Sequence, residues 1–379
     1  MRILIAPDKF KGTLTAYEAC LAMQRGVWAA FPDWETDLQP LSDGGEGVLE
    51  VLLESRGGYR VVVPTVDPLL RPILAEMGFS ADGETALIEM AQASGLQLLA
   101  PNERNPWHTS TLGTGKFLQI AQQRGAKRIV MGIGGSATHD AGLGVAVALG
   151  WTFLDESGVP LSPVGASLGR IQYVLPPDQQ FPLPVVVACD VGNPLLGENG
   201  AAQVYAPQKG ATPALVEQLE VGTENWARRM SALGRVDVPV DLRSFAGGGA
   251  AGGLGAGLVA YLGATLCAGS ELLLSETGLS ARIAASDLVL TGEGQLDAQT
   301  LHGKTIYGLL QLAGKKPVAA LCGRVLLSPT QIQNAGLVAA RSLGTTPKSA
   351  SEMRAQAAVQ LAKITEAFIR QWASVEGRI

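Results

Sequence analysis

The chain has 379 residues, 47% of them hydrophobic and 17% charged, with a formal net charge of -5 and a pI near 5.4. That length holds two domains, or one large domain with an insertion, and the composition builds a sizeable core and excludes a disordered chain. The acidic balance argues against nucleic acid or an anionic membrane as partner, yet a local lysine cluster can still hold a small anion.

In chain order, a short apolar strand, "RILIA", leads through "PDKFKGT" into an amphipathic helix, where Thr15 followed three residues later by Glu18 forms a capping box. A second strand near "TDLQPL" ends in "SDGGEG" and passes into the helical pattern "VLEVLLES". From Tyr59, alternating runs broken by Asp-Pro and Asp-Gly predict antiparallel strands and a change of domain. "AKRIVMGIGGSATHD" restores the strand–loop–helix rhythm, which breaks again over the Pro-rich Pro160–Pro184 stretch. A strand, "LPVVVACD", ends at Asp190 before the irregular "VGNPLLGENGAAQVYAPQKGA". The last quarter reads as "SDLVLTGEG", a helix, "PVAALCG", "GLVAARSLG" and a final helix. The 47 glycines gather at the ends of apolar runs, as in α/β proteins with ligand-facing turns at strand ends. Similar rhythm at the two termini predicts a discontinuous α/β domain (1–66 with 280–379) with the middle of the chain inserted as a second (67–279).

Cys20, Cys189, Cys267 and Cys322 show no metal-ligand spacing and read as reduced thiols of a cytoplasmic protein. The apolar run of "MRILIAPDKF" is too short for a signal peptide. The uncharged stretch from Phe245 has membrane-span length, but nine of its residues are Gly, so it reads as a flexible loop followed by a buried helix.

Two nucleotide motifs present themselves by their letters. Gly303-Lys304-Thr305 matches the end of a P-loop, but Ala298 stands where the wrapping Gly is required, and Ser110 fails the same test for Gly115-Lys116. "GIGGSA" after a strand reads as G-x-G-x-x-A (Gly132, Gly134, Ala137), with Asp155 as a ribose ligand, and would make the chain a dinucleotide-dependent hydroxy-acid dehydrogenase. There His139-Asp140 crowd the helix start that should attract a pyrophosphate; a turn for close packing is the competing reading. More informative are the acidic, Gly-rich loops at strand ends: Asp8, Asp43 with Glu46, Asp190, and Glu293 with Asp297. Carboxylates gathered there repel one another unless a cation or proton intervenes, and Mg2+ with a nucleotide is one such cation. Lys9, Lys11, Lys209 and Lys304 add point charges suited to phosphate or carboxylate.

"APDKFKGT", "SDGGEG", "IGGSATHDAG", "CDVGNPLLGENGAAQVYAPQKGA", "GGGAAGGLGAGL" and "LTGEGQLDAQTLHGKT", in that order from Ala6 to Gly323, resemble the type I glycerate kinases. Tyr205 stands where that pattern has Phe. The resemblance implies an ATP- and Mg2+-dependent kinase that phosphorylates D-glycerate, mostly to 2-phosphoglycerate, using two α/β domains, one of them Rossmann- or flavodoxin-like, and a cleft between them. Glycerate 3-phosphorylation and a non-catalytic sugar-acid sensor stay open beside it, as does a homo-oligomer. For phosphoryl transfer, Asp190 is the candidate acceptor-side base, with Asn193, Asp8, Ser42 and Asp43 on the substrate. Lys9 and Lys11 are placed against carboxylate or phosphate. Gly292, Glu293, Gly294, Gln295, Lys304 and Lys209 are the candidate nucleotide contacts, Lys304 at the start of a helix. Asp43, Glu293 and Asp297 are the candidate metal ligands. His139 is read as a helix cap or a catalytic group; His108 and His302 carry no metal spacing.

Overall fold

A computed structural model describes residues 1–10, 12–42, 51–53, 57–233, 241–301, 305–344 and 350–375. Lys11, Asp43, Glu46, His302 and Lys304 therefore lie outside the described residues. The chain forms two compact units, Met1–Asp43 with Ser270–Ile379, and Gly44–Gly269. The first opens with β1 (Arg2–Ile5), the helix Ala16–Ala30 and β2 (Glu35–Leu38). Thr15 and Glu18 make the capping box the sequence predicts: Glu18 N donates to Thr15 Oγ1 at 3.1 Å, and Thr15 N donates to Glu18 Oε2 at 2.8 Å. The second unit carries β3 (Tyr59–Val66), β4 (Pro72–Phe79), β5 (Thr85–Glu89), β6 (Arg128–Gly132), β7 (Thr152–Leu154), β8 (Tyr173–Leu175), β9 (Val185–Ala188) and β10 (Thr265–Cys267). The first unit then resumes with β11 (Leu288–Thr291), β12 (Gln295–Leu296), β13 (Val318–Cys322), β14 (Arg324–Val325), β15 (Leu337–Ser342) and the helix Ala350–Val375.

The main sheet of the first unit has the order β15-β13-β11-β1-β2 with every pairing parallel. Ranked along the chain this is 5-4-3-1-2, the flavodoxin-like order, whose direction reverses between β1 and β11. Its strands are apolar on both sides because helices cover both faces. Ile3, Ile5, Leu288, Leu290, Ala319 and Leu321 pack with the helices Ala16–Ala30 and Ala350–Val375. Leu4, Val289, Ala320 and Cys322 pack with the helices Leu279–Ala285 and Thr305–Ala313.

The second unit's sheet runs β10-β9-β6-β5-β4-β3, parallel from β10 to β5 and antiparallel at β4 and β3. This corrects the boundaries 66/67 and 279/280. Asp67-Pro68 is the turn between antiparallel strands that the sequence predicts, with Leu69 N and Arg71 N both donating to Asp67 Oδ1 at 2.9 Å, but it lies inside one unit. Because β3 pairs along its length with β4, it cannot belong to the other sheet, and the unit edges fall at 43/44 and 269/270.

The Gly-rich stretch after Phe245 is more ordered than the flexible loop expected of it. The helix Ala250–Leu262 begins with Ala251, Gly252 and Gly253 in left-handed backbone (φ 53°, 68° and 86°). Gly252 is required twice, because of its φ and because a Cβ there would meet Thr138 O at 2.1 Å. No helix among the described residues is long and apolar enough to cross a membrane.

Candidate active site

In open α/β sheets, ligands bind outside the carboxyl ends of the strands, at the point where strand order reverses. In the first unit that point is flanked by the loops leaving β1 and β11. Asp8 N donates to Gly292 O at 2.8 Å and Ala6 N to Leu290 O at 2.7 Å, so the two loops leave side by side. The buried Asp8 carboxylate accepts from Lys9 N (2.6 Å) and from Thr305 Oγ1 (3.1 Å). Thr305 is the last letter of "GKT". Its hydroxyl serves a carboxylate of the same sheet, and residues Ala298–Leu301 form a 3-10 turn where a P-loop would wrap phosphates. Leu41 N donates to Pro7 O at 2.9 Å, bringing the β2 exit alongside; there Ser42 Oγ is buried without a hydrogen-bond partner among the described residues.

Within the β11 loop, Gly292 is buried, and a Cβ on it would meet Leu321 O at 2.0 Å, so its place in the chain is set by packing against β13. Glu293 O accepts from Gly323 N and Gly294 O from Arg324 N, both at 3.0 Å, and exposed Gln295 opens the short parallel pair β12–β14. Glu293 and Asp297 share Thr300: its Oγ1 donates to Glu293 Oε1 at 2.6 Å and its N to Asp297 Oδ1 at 3.3 Å. Burial, with the Glu293 charge close by, pushes the Cys322 thiol up to about 12, so that thiol stays protonated. Among the described residues no three His, Cys, Asp or Glu side chains converge as a closed metal cage.

In the second unit, adjacent parallel strands β6 and β9 release the loops 133–140 and 189–194 at the same end. Exposed Asp190 is tied to the exit of β10 by Gly269 N, which donates to its Oδ1 at 2.6 Å. The Asn193 side chain fastens its own loop: its Nδ2 donates to Asn199 O at 2.8 Å, and Tyr205 Oη donates to its Oδ1 at 2.6 Å. The Tyr205 hydroxyl thus has a hydrogen-bonding task that a Phe would lack.

Lys209 is buried, 2% exposed, with Nζ donating to Ser136 Oγ and Thr138 O, both at 2.7 Å. Burial pulls its pKa down to about 7, while the Asp140 charge holds it up. Asp140 itself accepts from Thr111 N and Oγ1 (2.8 Å each), Gly142 N (3.1 Å) and Gly144 N (3.2 Å). Asp140, not His139, is therefore the cap at this point of the chain. His139 is an interior group, its Nε2 paired with Thr223 Oγ1 at 3.0 Å and its Nδ1 buried without a partner among the described residues. Burial, then the Lys209 charge, lowers its pKa from 6.5 to about 3.

An unfolded chain takes up the His139 proton below about pH 6.5, while the folded chain refuses it to about pH 3, so stability falls as pH drops through that window. Between pH 7 and pH 5 the loss expected from this one group is about 2 kcal/mol. Asp140, raised by burial, acts in the opposite sense, but it is common to wild type and to a His139→Gln variant. Urea midpoints at the two pH values should therefore converge in His139→Gln; an unchanged pH dependence would reject the assignment.

The dinucleotide reading of "GIGGSA" does not hold. The Gly turn does not open a helix; it forms a bridge to Gly95, and the next helix begins only at Leu143. Asp155, its supposed ribose ligand, is engaged by Ser157 N, Val159 N and Arg170.

Comparison with known proteins agrees with the motifs. The profile of the Glycerate kinase family matches residues 3–373. A glycerate kinase of Halalkalibacterium halodurans is 42% identical over 348 residues, covering 90% of each chain. A glycerate 2-kinase of Escherichia coli is 39% identical over 329 residues, covering 85% of each. A crystal structure from Salmonella typhimurium LT2, provisionally named glycerate kinase 2, superposes with a TM-score of 0.89 at 36% identity, covering 100% of this chain and 99% of that one. With a family match from Ile3 to Ala373 and carboxylates held at the carboxyl ends of parallel strands in both units, the chain belongs to the glycerate kinase family of ATP-dependent kinases.

Proposed function

We propose that the chain transfers the γ-phosphoryl group of ATP to O2 of D-glycerate, giving 2-phosphoglycerate and ADP. The observation that carries this reading is Asp190, an exposed carboxylate fixed by Gly269 N at the end of a parallel strand. Phosphoryl transfer needs an acceptor hydroxyl held in line, positive charge over the transferring oxygens, and a base for the hydroxyl proton. The hydroxyl oxygen attacks the γ-phosphorus, the bond to the bridging β,γ-oxygen breaks, and the hydroxyl proton passes to Asp190. Asn193 holds the Asp190 loop in shape for glycerate.

The loops at the switch point of the first unit suit the triphosphate. Lys9, with Lys11 and Lys304, would supply charge to it, while Gly292–Gln295 line the β11 side and Asp8 and Ser42 the β1 and β2 sides. The site fits Mg2+, which keeps several waters and takes one or two protein carboxylates. Glu293 and Asp297 are both held by Thr300, the first by its hydroxyl and the second by its backbone N–H, and the Ser42 hydroxyl is a buried oxygen lacking a partner among the described residues. These residues, with Asp43, would hold the ion; when bound, it neutralises charge on the β- and γ-phosphate oxygens. Support for O2 comes from the E. coli relative's name, glycerate 2-kinase.

The purified chain with D-glycerate and Mg-ATP should release ADP, and phosphorus and proton NMR should show phosphate on C2. A 3-phosphoglycerate product would overturn the regiochemistry, and glycerate binding without ADP release would leave a sensor.

A further inference from the structure

The turn after β6 has a feature that the kinase reading leaves unassigned. Gly135 O and Ala137 N are engaged with the segment Ser94–Leu96, both at 2.9 Å. The N–H groups of Gly134 and Gly135 donate to no acceptor among the described residues, while Ser136 N closes the turn toward Ile133. Gly135 is exposed and left-handed (φ 71°), a turn conformation that leaves the Gly134 and Gly135 N–H groups available beside the Ser136 side chain. Beside it, Lys209 Nζ lies 2.7 Å from Ser136 Oγ. An ammonium has no acceptor capacity, so Ser136 Oγ must accept there, and its own proton is left to be donated elsewhere. Lys209 is buried and spends a second proton on Thr138 O, so its charge reaches a ligand through Ser136.

We infer that the Gly134–Ser136 turn is an oxyanion subsite, in which Ser136 donates to an anionic oxygen of the substrate pair and Lys209 is its positioning residue. The chemistry is that of a carboxylate or phosphoryl oxygen. Proximity to Asp190, on the neighbouring strand end, favours the glycerate carboxylate. This rests on the kinase reading above.

A hydrogen bond to a charged group is worth about 1.5–3 kcal/mol, so Ser136→Ala should raise one KM about 10- to 100-fold while kcat moves far less. A rise in KM for D-glycerate assigns the carboxylate, and a rise in KM for ATP assigns the phosphoryl oxygens. Ser136→Thr, which keeps the hydroxyl, should restore most of the loss, which a merely structural role would not require. Lys209→Met should move the same KM; if that variant does not fold, Ser136→Ala still decides. Folded Ser136→Ala with both KM values within twofold of wild type overturns the subsite. If wild type does not phosphorylate D-glycerate, the kinase reading falls separately. The subsite is then read from protection against thermal unfolding by D-glycerate and by inorganic phosphate. Protection that Ser136→Ala abolishes supports it; protection absent in wild type, or retained in the variant, overturns it.

Discussion

Asp190→Asn is expected to lower kcat about 10²- to 10⁴-fold, the usual contribution of a positioned general base, while ADP binding measured by calorimetry stays near wild type. The amide is the right probe because it has nearly the carboxylate's shape and retains an oxygen to accept from Gly269 N. What it loses is the ability to take the glycerate hydroxyl proton. Asp8 is the competing carboxylate, but it is buried and its two oxygens already accept from Lys9 N and Thr305 Oγ1. Asp190 is exposed at the mouth of its sheet. A kcat within threefold of wild type would reject the assignment, and a parallel loss in Asp8→Asn alone would move the base to the first unit.

The places of Asp8, Asp190 and Glu293 at strand ends were legible in the sequence because each follows an apolar run with Gly close by. The two-unit α/β organisation was legible from the same rhythm, but its edges were not. Asp67-Pro68 carries turn chemistry, and a turn within a hairpin uses the same residues as a linker. Lys209 shows a different limit. A lysine in "APQKGA" between helical segments reads as exposed charge, and only the return of the chain over the β6 loop puts its Nζ on Ser136 and Thr138. Asn193 reads as a ligand, yet its amide holds its own loop through Tyr205 and Asn199. "THD" after a Gly turn carried a signal for an internal polar network, but assigning the cap to Asp140 over His139 needs Thr111, 29 residues upstream.

Asp140→Ala is expected to cost the second unit at least about 3 kcal/mol, because it removes one acceptor that serves four donors. Its carboxylate ties Thr111, which precedes the helix Leu112–Gln123, to Gly142 and Gly144 at the start of the helix Leu143–Ala148. Between them, Ala141 is held in left-handed backbone (φ 49°), a conformation that non-glycine residues adopt only when their surroundings impose it. Ala141 N in turn donates to Gly252 O at 3.1 Å, at the kinked start of the helix Ala250–Leu262. Deleting the carboxylate strands three backbone N–H groups and a hydroxyl in a region closed to water. It also leaves the buried Lys209 ammonium without the charge that holds its proton. Lys209→Met should therefore be less destabilising in the Asp140→Ala background than in wild type, a coupling that a double-mutant cycle measures directly. The reporter is built in: Trp226 Nε1 donates to Tyr261 Oη at 2.6 Å, and Tyr261 Oη donates to Ala141 O at 3.3 Å. Urea unfolding followed by tryptophan fluorescence should show the early loss. A change below about 1 kcal/mol would mean that the four donors find other acceptors, against the expectation for buried groups.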